Sequence, residues 1–220
     1  AAVADGRVRD LRTLEDHLVG RLWTAGLTEA ALAGATVHRV APMTGDLATG
    51  ELATDGHAAG LAVGLAVIDE LDAEAAARLP VPPLREASRR LGRQLVRVAA
   101  RCWPDPLLAE VGRARPDGVH QPVALGVVAA AAGLAPGDTA RLALHHALTT
   151  PATAAVRLLG LDPLAVAALT VRLAPEAEAV VAEAVAVAAG PLADLPAAAG
   201  PIVDIAAAEH RGWDVRLFAT

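Results

Sequence analysis

The sequence predicts an all-α fold, a single-domain bundle of about eight to ten helices with one long loop near residues 35–56. Three observations predict it. Apolar residues recur at steps of three and four, and Pro and Gly stand where helices should start and stop. No segment sustains the alternation of β-branched and polar residues that marks a strand. Of the 220 residues 54% are hydrophobic, yet aromatics are only 2% and Tyr is absent, so the core must be built from Ala, Leu and Val. Residues of that kind favour helices that pack closely.

Leu11, Leu14, Leu18, Leu22 and Ala25 fall on one face of a first helix, with Thr13 and Asp16 as its start signal and Gly26 as its stop. Thr28 then caps a short helix to about Ala33. Pro42, Gly45, Gly50 and Gly56, mixed with Thr and Asp, make 35–56 a loop or lid. A helix from residue 57 to about 79 follows, and Pro80, Pro82 and Pro83 separate it from the next. There Leu84, Ala87, Leu91, Leu95, Val98 and Cys102 form the apolar stripe, while the other side is nearly all Arg. Pro104 ends that helix, Pro106 opens a short one, and the Arg-Pro-Asp-Gly of 115–118 turns the chain. Pro122 sits where a first helical turn tolerates proline, opening an apolar helix to about Leu134. Asp138 caps a helix to about Leu148, and Pro151 either kinks the chain or starts another helix reaching Leu159. Asp162-Pro163 and Pro175-Glu176 each mark a helix start, giving two helices before Gly190-Pro191. A short apolar helix is predicted near 202–208, ahead of a terminal Arg216-Leu217-Phe218.

Composition also removes chemistry. All 19 basic residues are Arg, so a phosphate-loop lysine, a Schiff base and a Ser/Lys dyad are excluded. A net charge of −6 argues against nucleic acid as partner, since phosphate neutralisation needs a clustered basic excess. The single cysteine, Cys102, rules out an intramolecular disulfide and any Cys-x-x-Cys site, which fits a reducing cytoplasm. Mean hydropathy is +0.42, but the longest uncharged, Pro-free stretches fall short of the roughly 18 residues of a membrane span, so no membrane partner is expected.

Catalysis by a nucleophile has only Ser88 and Cys102 to draw on, one placed mid-helix as a small surface or packing residue and the other on the apolar stripe as a buried thiol. His145 and His146 are adjacent, so they point about 100° apart and cannot chelate one ion as an i, i+4 pair does. One of the two is expected to line a core or interface and the other to face solvent. The third predicted helix carries Arg85, Arg89, Arg90, Arg93, Arg97 and Arg101 against one acid, Glu86. Either this basic ribbon pairs within the chain, with acid-rich segments such as 69–74, or it docks on an acidic protein surface.

Several segments, in order, resemble the UreF family of urease accessory proteins. Residues 85–95, Arg-Glu-Ala-Ser-Arg-Arg-Leu-Gly-Arg-Gln-Leu, resemble its Arg-x-x-Ser helix with the following glycine. Residues 120–126, His-Gln-Pro-Val-Ala-Leu-Gly, resemble its His-x-Pro-x-Ala-x-Gly, and Ala154-Ala155-Val156-Arg157-Leu158 matches its Ala-Ala-Val-Arg-Leu. Pro201-Ile202-Val203-Asp204-Ile205-Ala206, Glu209-His210 and Arg216-Leu217-Phe218 resemble its C-terminal block. The resemblance implies a cytoplasmic, homodimeric, non-catalytic protein that bridges a UreD-type (or UreH-type) accessory protein and a UreG-type GTPase. It would thereby support GTP-dependent nickel insertion into apo-urease. No tightly bound cofactor is implied; nickel would be a transient cargo, with His210 the candidate contact.

The motif residues Arg85, Glu86, Ser88, Arg89, Arg93, His120, Arg157, Asp204, His210, Trp213, Arg216, Leu217 and Phe218 become the candidate partner-binding set. The Arg157 helix, the His120 turn and the 204–218 tail are expected to organise the dimer and the UreD-type interface, with Phe218, Leu217 and Trp213 as apolar anchors. The sequence departs from the family in three places, one of them the Gly-rich stretch 35–56, which has no family counterpart. The family's Pro-x-Gly-Gly-Phe segment does not precede Ala1, so an N-terminal piece is expected to be missing, and Trp213-Asp214-Val215 stands where the family has Gln-Tyr-Ser. Two rivals stay open on the residues alone: a helical adaptor or transcription regulator using helix 84–102, and an enzyme with His145 or His146 as base.

Overall fold

A computed structural model describes residues 2–3, 5–48, 54–198 and 205. Among them are nine α-helices and no strand: α1 (Leu11–Arg21), α2 (Leu27–Ala48), α3 (Thr54–Ala77), α4 (Pro82–Cys102), α5 (Pro106–Ala114), α6 (Gln121–Ala131), α7 (Pro136–Leu159), α8 (Pro163–Arg172) and α9 (Ala174–Ala188). The all-α bundle expected from periodicity is the fold observed.

Its centre is α2, which packs against α3, α6, α7 and α9. Ala30, Ala31, Leu32, Ala33, Ala35, Val37 and Val40 are buried along it. Small side chains let neighbours come close: a Cβ on Gly126 of α6 would lie 2.3 Å from Thr36 Cβ and 2.7 Å from the Ala33 carbonyl oxygen. The α6 helix is apolar all round and buried from Pro122 to Ala130, as a helix enclosed by others must be. Arg39 of α2 donates to the carbonyls of Ala188 (2.9 Å) and Gly190, satisfying the open C-terminal end of α9.

Several boundaries read from sequence are corrected. The first helix starts one cap earlier, at Asp10, whose carboxylate accepts from the Thr13 amide at 2.8 Å while Thr13 Oγ1 accepts from the Asp10 amide at 3.1 Å. Gly26 does not stop it. The chain runs on through one π-helical turn, Leu22–Gly26, directly into α2, so Thr28 caps nothing. The predicted loop 35–56 is instead the second half of α2 as far as Ala48, and α3 begins by Thr54. Pro42 is tolerated there because it lies on the exposed side, and its missing bond would have gone to His38, which is exposed too.

Asp138 lies inside the first turn of α7 rather than capping it, and α7 passes unbroken through Pro151. Proline there leaves the Ala147 carbonyl without its helical donor, and Arg21 Nε supplies one at 3.1 Å.

The fourth helix is rotated from expectation. Its buried face is Gly92, Val96 and Ala99, whereas Leu84, Leu91 and Leu95 are half-buried and Val98 is 61% exposed. Cys102, expected as a buried thiol, is exposed.

Candidate functional site

The two strongest sequence motifs meet in space. α4 brings Ser88, Arg89 and Gly92 against the turn 118–121 that starts α6, and Asp72 of α3 closes the group. Asp72 Oδ1 accepts from the His120 backbone N–H at 2.6 Å, and its Oδ2 pairs with Arg89 at 2.8 Å. Arg89 also donates to the Gly118 carbonyl at 2.9 Å, and Ser88 Oγ accepts from the Gln121 N–H at 2.9 Å. Those two amides belong to the open N-terminal end of α6, so side chains of α3 and α4 do the work of a cap that His120 does not.

Contact this close needs glycine. A Cβ on Gly92 would sit 2.0 Å from the Val119 carbonyl oxygen. Gly118 has φ +82°, and a Cβ there would meet the Arg89 carbonyl oxygen at 2.6 Å. The requirement for Gly92 at the contact also explains why α4 turns its leucines sideways: only the glycine face can seat on the 119–120 backbone.

The His120 ring is fully buried, and neither ring nitrogen has a hydrogen-bond partner among the described residues. Burial pushes its proton affinity below the ordinary value; Asp72 works against that shift, and Arg89 and Arg85 reinforce it. The ring is therefore a neutral part of the core, not a surface contact or an exposed metal ligand.

The basic ribbon divides into two parts. Arg89 turns inward to Asp72, and Arg85 donates to the carbonyls of Leu79 (2.7 Å) and Pro80 (3.2 Å), tying α4 to the end of α3. Arg115, from the turn, pairs with Asp69. Intramolecular pairing with segment 69–74 thus accounts for Arg89. Arg93, Arg97 and Arg101 are exposed and make no ion pair among the described residues. Glu86 is exposed on the same helix.

The other candidates lie apart from this node. Arg157 is exposed in the last turn of α7. His145 and His146 are both exposed, so neither lines the core of this chain. Asp204, His210, Trp213, Arg216, Leu217 and Phe218 lie outside the described residues, as does the helix predicted at 202–208 apart from Ile205, which is helical and exposed. Among the described residues no group of His, Cys, Asp and Glu could hold a metal ion, and no helix is long and apolar enough to cross a membrane. Asp72 carried no motif of its own; its only signal was membership of the acid-rich 69–74 segment.

Fold and node together define an all-helical bundle protein in which Ser88, Arg89 and Asp72 hold its own helices in register, while Arg93, Arg97 and Arg101 lie exposed on an outward helix face. The UreF family model matches residues 8–174. Urease accessory protein UreF of Mycobacterium sp. (strain JLS) is 43% identical over 183 residues, 83% of this chain and 73% of the relative. Its counterpart in Mycolicibacterium vanbaalenii is 44% identical over 194 residues, 88% and 77% of the two chains. That of Mycobacterium tuberculosis (strain ATCC 25618 / H37Rv) is 40% identical over 185 residues, 84% and 74%. The chain belongs to the UreF family.

Proposed function

We propose that this chain is a urease maturation factor that acts by binding rather than by catalysis. It bridges a UreD/UreH-type accessory protein and a UreG-type GTPase and so supports GTP-dependent insertion of nickel into apo-urease in the cytoplasm. The observation that carries the reading is family membership at 40–44% identity to proteins named urease accessory protein UreF. The architecture agrees with it: an all-helical bundle in which the motif residues Arg85, Ser88 and Arg89 are spent on internal contacts.

Self-association into a homodimer belongs to the same proposal. Its support is α8, where Leu164 (78% exposed) and Val171 (72% exposed) lie seven residues apart with exposed Ala167 and Ala168 between them. This apolar, uncharged stripe is left uncovered by the described residues. The 204–218 tail belongs, in the same proposal, to the UreD-type interface, with Trp213, Leu217 and Phe218 as its apolar anchors.

Co-expression with UreD-type and UreG-type proteins of the same host, followed by affinity purification, tests the reading. A ternary complex is expected, together with restored urease activity when the gene is returned to a deletion strain. Removing the residues after Ala208 should abolish capture of the UreD-type protein; unchanged capture would sink the tail assignment. Light scattering on the isolated chain reads the dimer. Calorimetric titration with nickel is expected to find no tight resident site.

A further inference from the structure

α4 presents two parallel rows to solvent. Arg90, Arg97 and Arg101 make one, and each is followed in sequence by a member of the other, Leu91, Val98 and Cys102, with Arg90 and Leu91 half-buried and the other four exposed. Successive residues lie 100° apart on a helix, so the rows are neighbours, and Arg93 stands one turn from Arg97. Trp103, 42% exposed, extends the apolar row past the helix end. From residue 90 to residue 101 the surface is about 16 Å long, three turns of helix.

Among the described residues nothing covers the outer end of this face, where Val98, Cys102 and Trp103 are exposed. Arg93, Arg97 and Arg101 make no ion pair among the described residues, while Val98 and Cys102 are exposed beside them. These positive charges have no counter-charge among the described residues, in a chain whose net charge is −6. Arg85 and Arg89 of the same helix are held inward, so the division is built into the helix's orientation.

We propose that the outward face of α4 is a docking surface for an acidic protein partner, one offering an apolar strip flanked by Asp or Glu at helical spacing. Charge complementarity selects that occupant. A second copy of the chain would set arginine against arginine, and like charges across an interface are a device of exclusion. A nucleic acid would engage the arginines but leave Leu91, Val98 and Trp103 against phosphates. The inference rests on the bridging function proposed above and adds to it a specific surface, together with the separation of docking arginines from architectural ones.

The single cysteine makes the face directly addressable. A thiol-reactive photocrosslinker on Cys102 of the otherwise unaltered chain, irradiated in the co-purified complex with the UreD-type and UreG-type proteins, is expected to join one of them covalently. In parallel, Arg93→Glu/Arg97→Glu/Arg101→Glu is expected to weaken that complex by about tenfold or more and to flatten its salt dependence. The melting temperature should stay unchanged, and Arg9→Glu, another exposed arginine, should bind as wild type does. A triple variant that assembles normally, or a Cys102 adduct that stays uncrosslinked within an intact complex, overturns the inference and leaves the bridging function standing. If the wild-type chain captures neither protein, the bridging reading fails and this inference fails with it. Tight, steeply salt-dependent binding of double-stranded DNA, lost in the triple variant while protein assembly is kept, would also overturn it.

Discussion

Asp72 holds two partners from different helices at once, the His120 amide and the Arg89 guanidinium, in a nearly closed environment. Truncating it strands a buried N–H and leaves Arg89 without its counter-charge. Asp72→Ala should therefore cost about 2–3 kcal/mol of unfolding free energy, measurable by urea titration. Asp72→Asn, which keeps an acceptor oxygen for His120 but not the charge, should cost less. Gly92→Ala strikes the same contact sterically, since the new Cβ would have to displace the Val119 carbonyl; about 3 kcal/mol or a loss of soluble protein is expected. His120 supplies a pH signature. The folded chain keeps the buried ring neutral, whereas the unfolded chain takes up a proton as pH falls below its ordinary value of 6.5. The stabilisation is thus present above that pH and lost as pH falls towards the folded-state value. The urea midpoint should drop between pH 7.5 and pH 5.5, and His120→Leu should reduce the drop. His17, whose affinity is also lowered by burial, contributes in the same direction, so His17→Gln should remove part of what remains.

At the scale of helices, the continuity of α7 depends on a residue far away in sequence. Pro151 removes the donor for Ala147, and Arg21 replaces it from the end of α1. Arg21→Ala should destabilise the chain by about 1–2 kcal/mol. In the Pro151→Ala background, where the helix restores its own bond, the same change should cost less. A double-mutant cycle giving coupling near zero would rule out this exchange of donors. The pairing also explains what was legible beforehand. Prolines at Pro82, Pro106, Pro122, Pro163 and Pro175 marked real starts, because a first turn has no use for the missing N–H. Pro42 and Pro151 looked the same locally but were overridden, one by facing solvent on a helix buried along its other side, the other by Arg21. Burial against distant helices also carried the chain through Gly26 and into the first part of the expected loop, where Ala35, Thr36, Val37 and Val40 are buried. On α4 the Leu row was the larger apolar signal, yet the small face of Gly92, Val96 and Ala99 is buried, since fit to the 118–121 turn outweighs side-chain size. The Arg-x-x-Ser and His-x-Pro motifs could be read separately, but nothing local told that they touch, and Asp72, which joins them, had no motif to announce it.

The molecule as a whole is organised around one helix. α2 touches five other helices, α3, α5, α6, α7 and α9, caps the end of α9 through Arg39, and continues from α1 without a break, so little of the bundle can come apart while α2 stays ordered. That topology predicts cooperative unfolding. Val40→Ala, at a fully buried site, should lower stability by about 2 kcal/mol and shift helical circular dichroism and tryptophan fluorescence by the same amount in denaturant. Trp23 and Trp103 give the fluorescence its reach, one standing at the π turn with its indole N–H bonded to Glu176 of α9, the other just beyond α4. Leu164→Gln/Val171→Gln makes the complementary case. These side chains lie outside the core, so a monomer should lose no more than about 0.5 kcal/mol. A homodimer closed over α8 should instead show a concentration-dependent midpoint in the wild type that disappears in the variant. Two separated transitions in the Val40→Ala chain would mean that the α4–α6 node and the α7–α9 side fold as independent units, and that α2 is a shared wall rather than the centre of the fold.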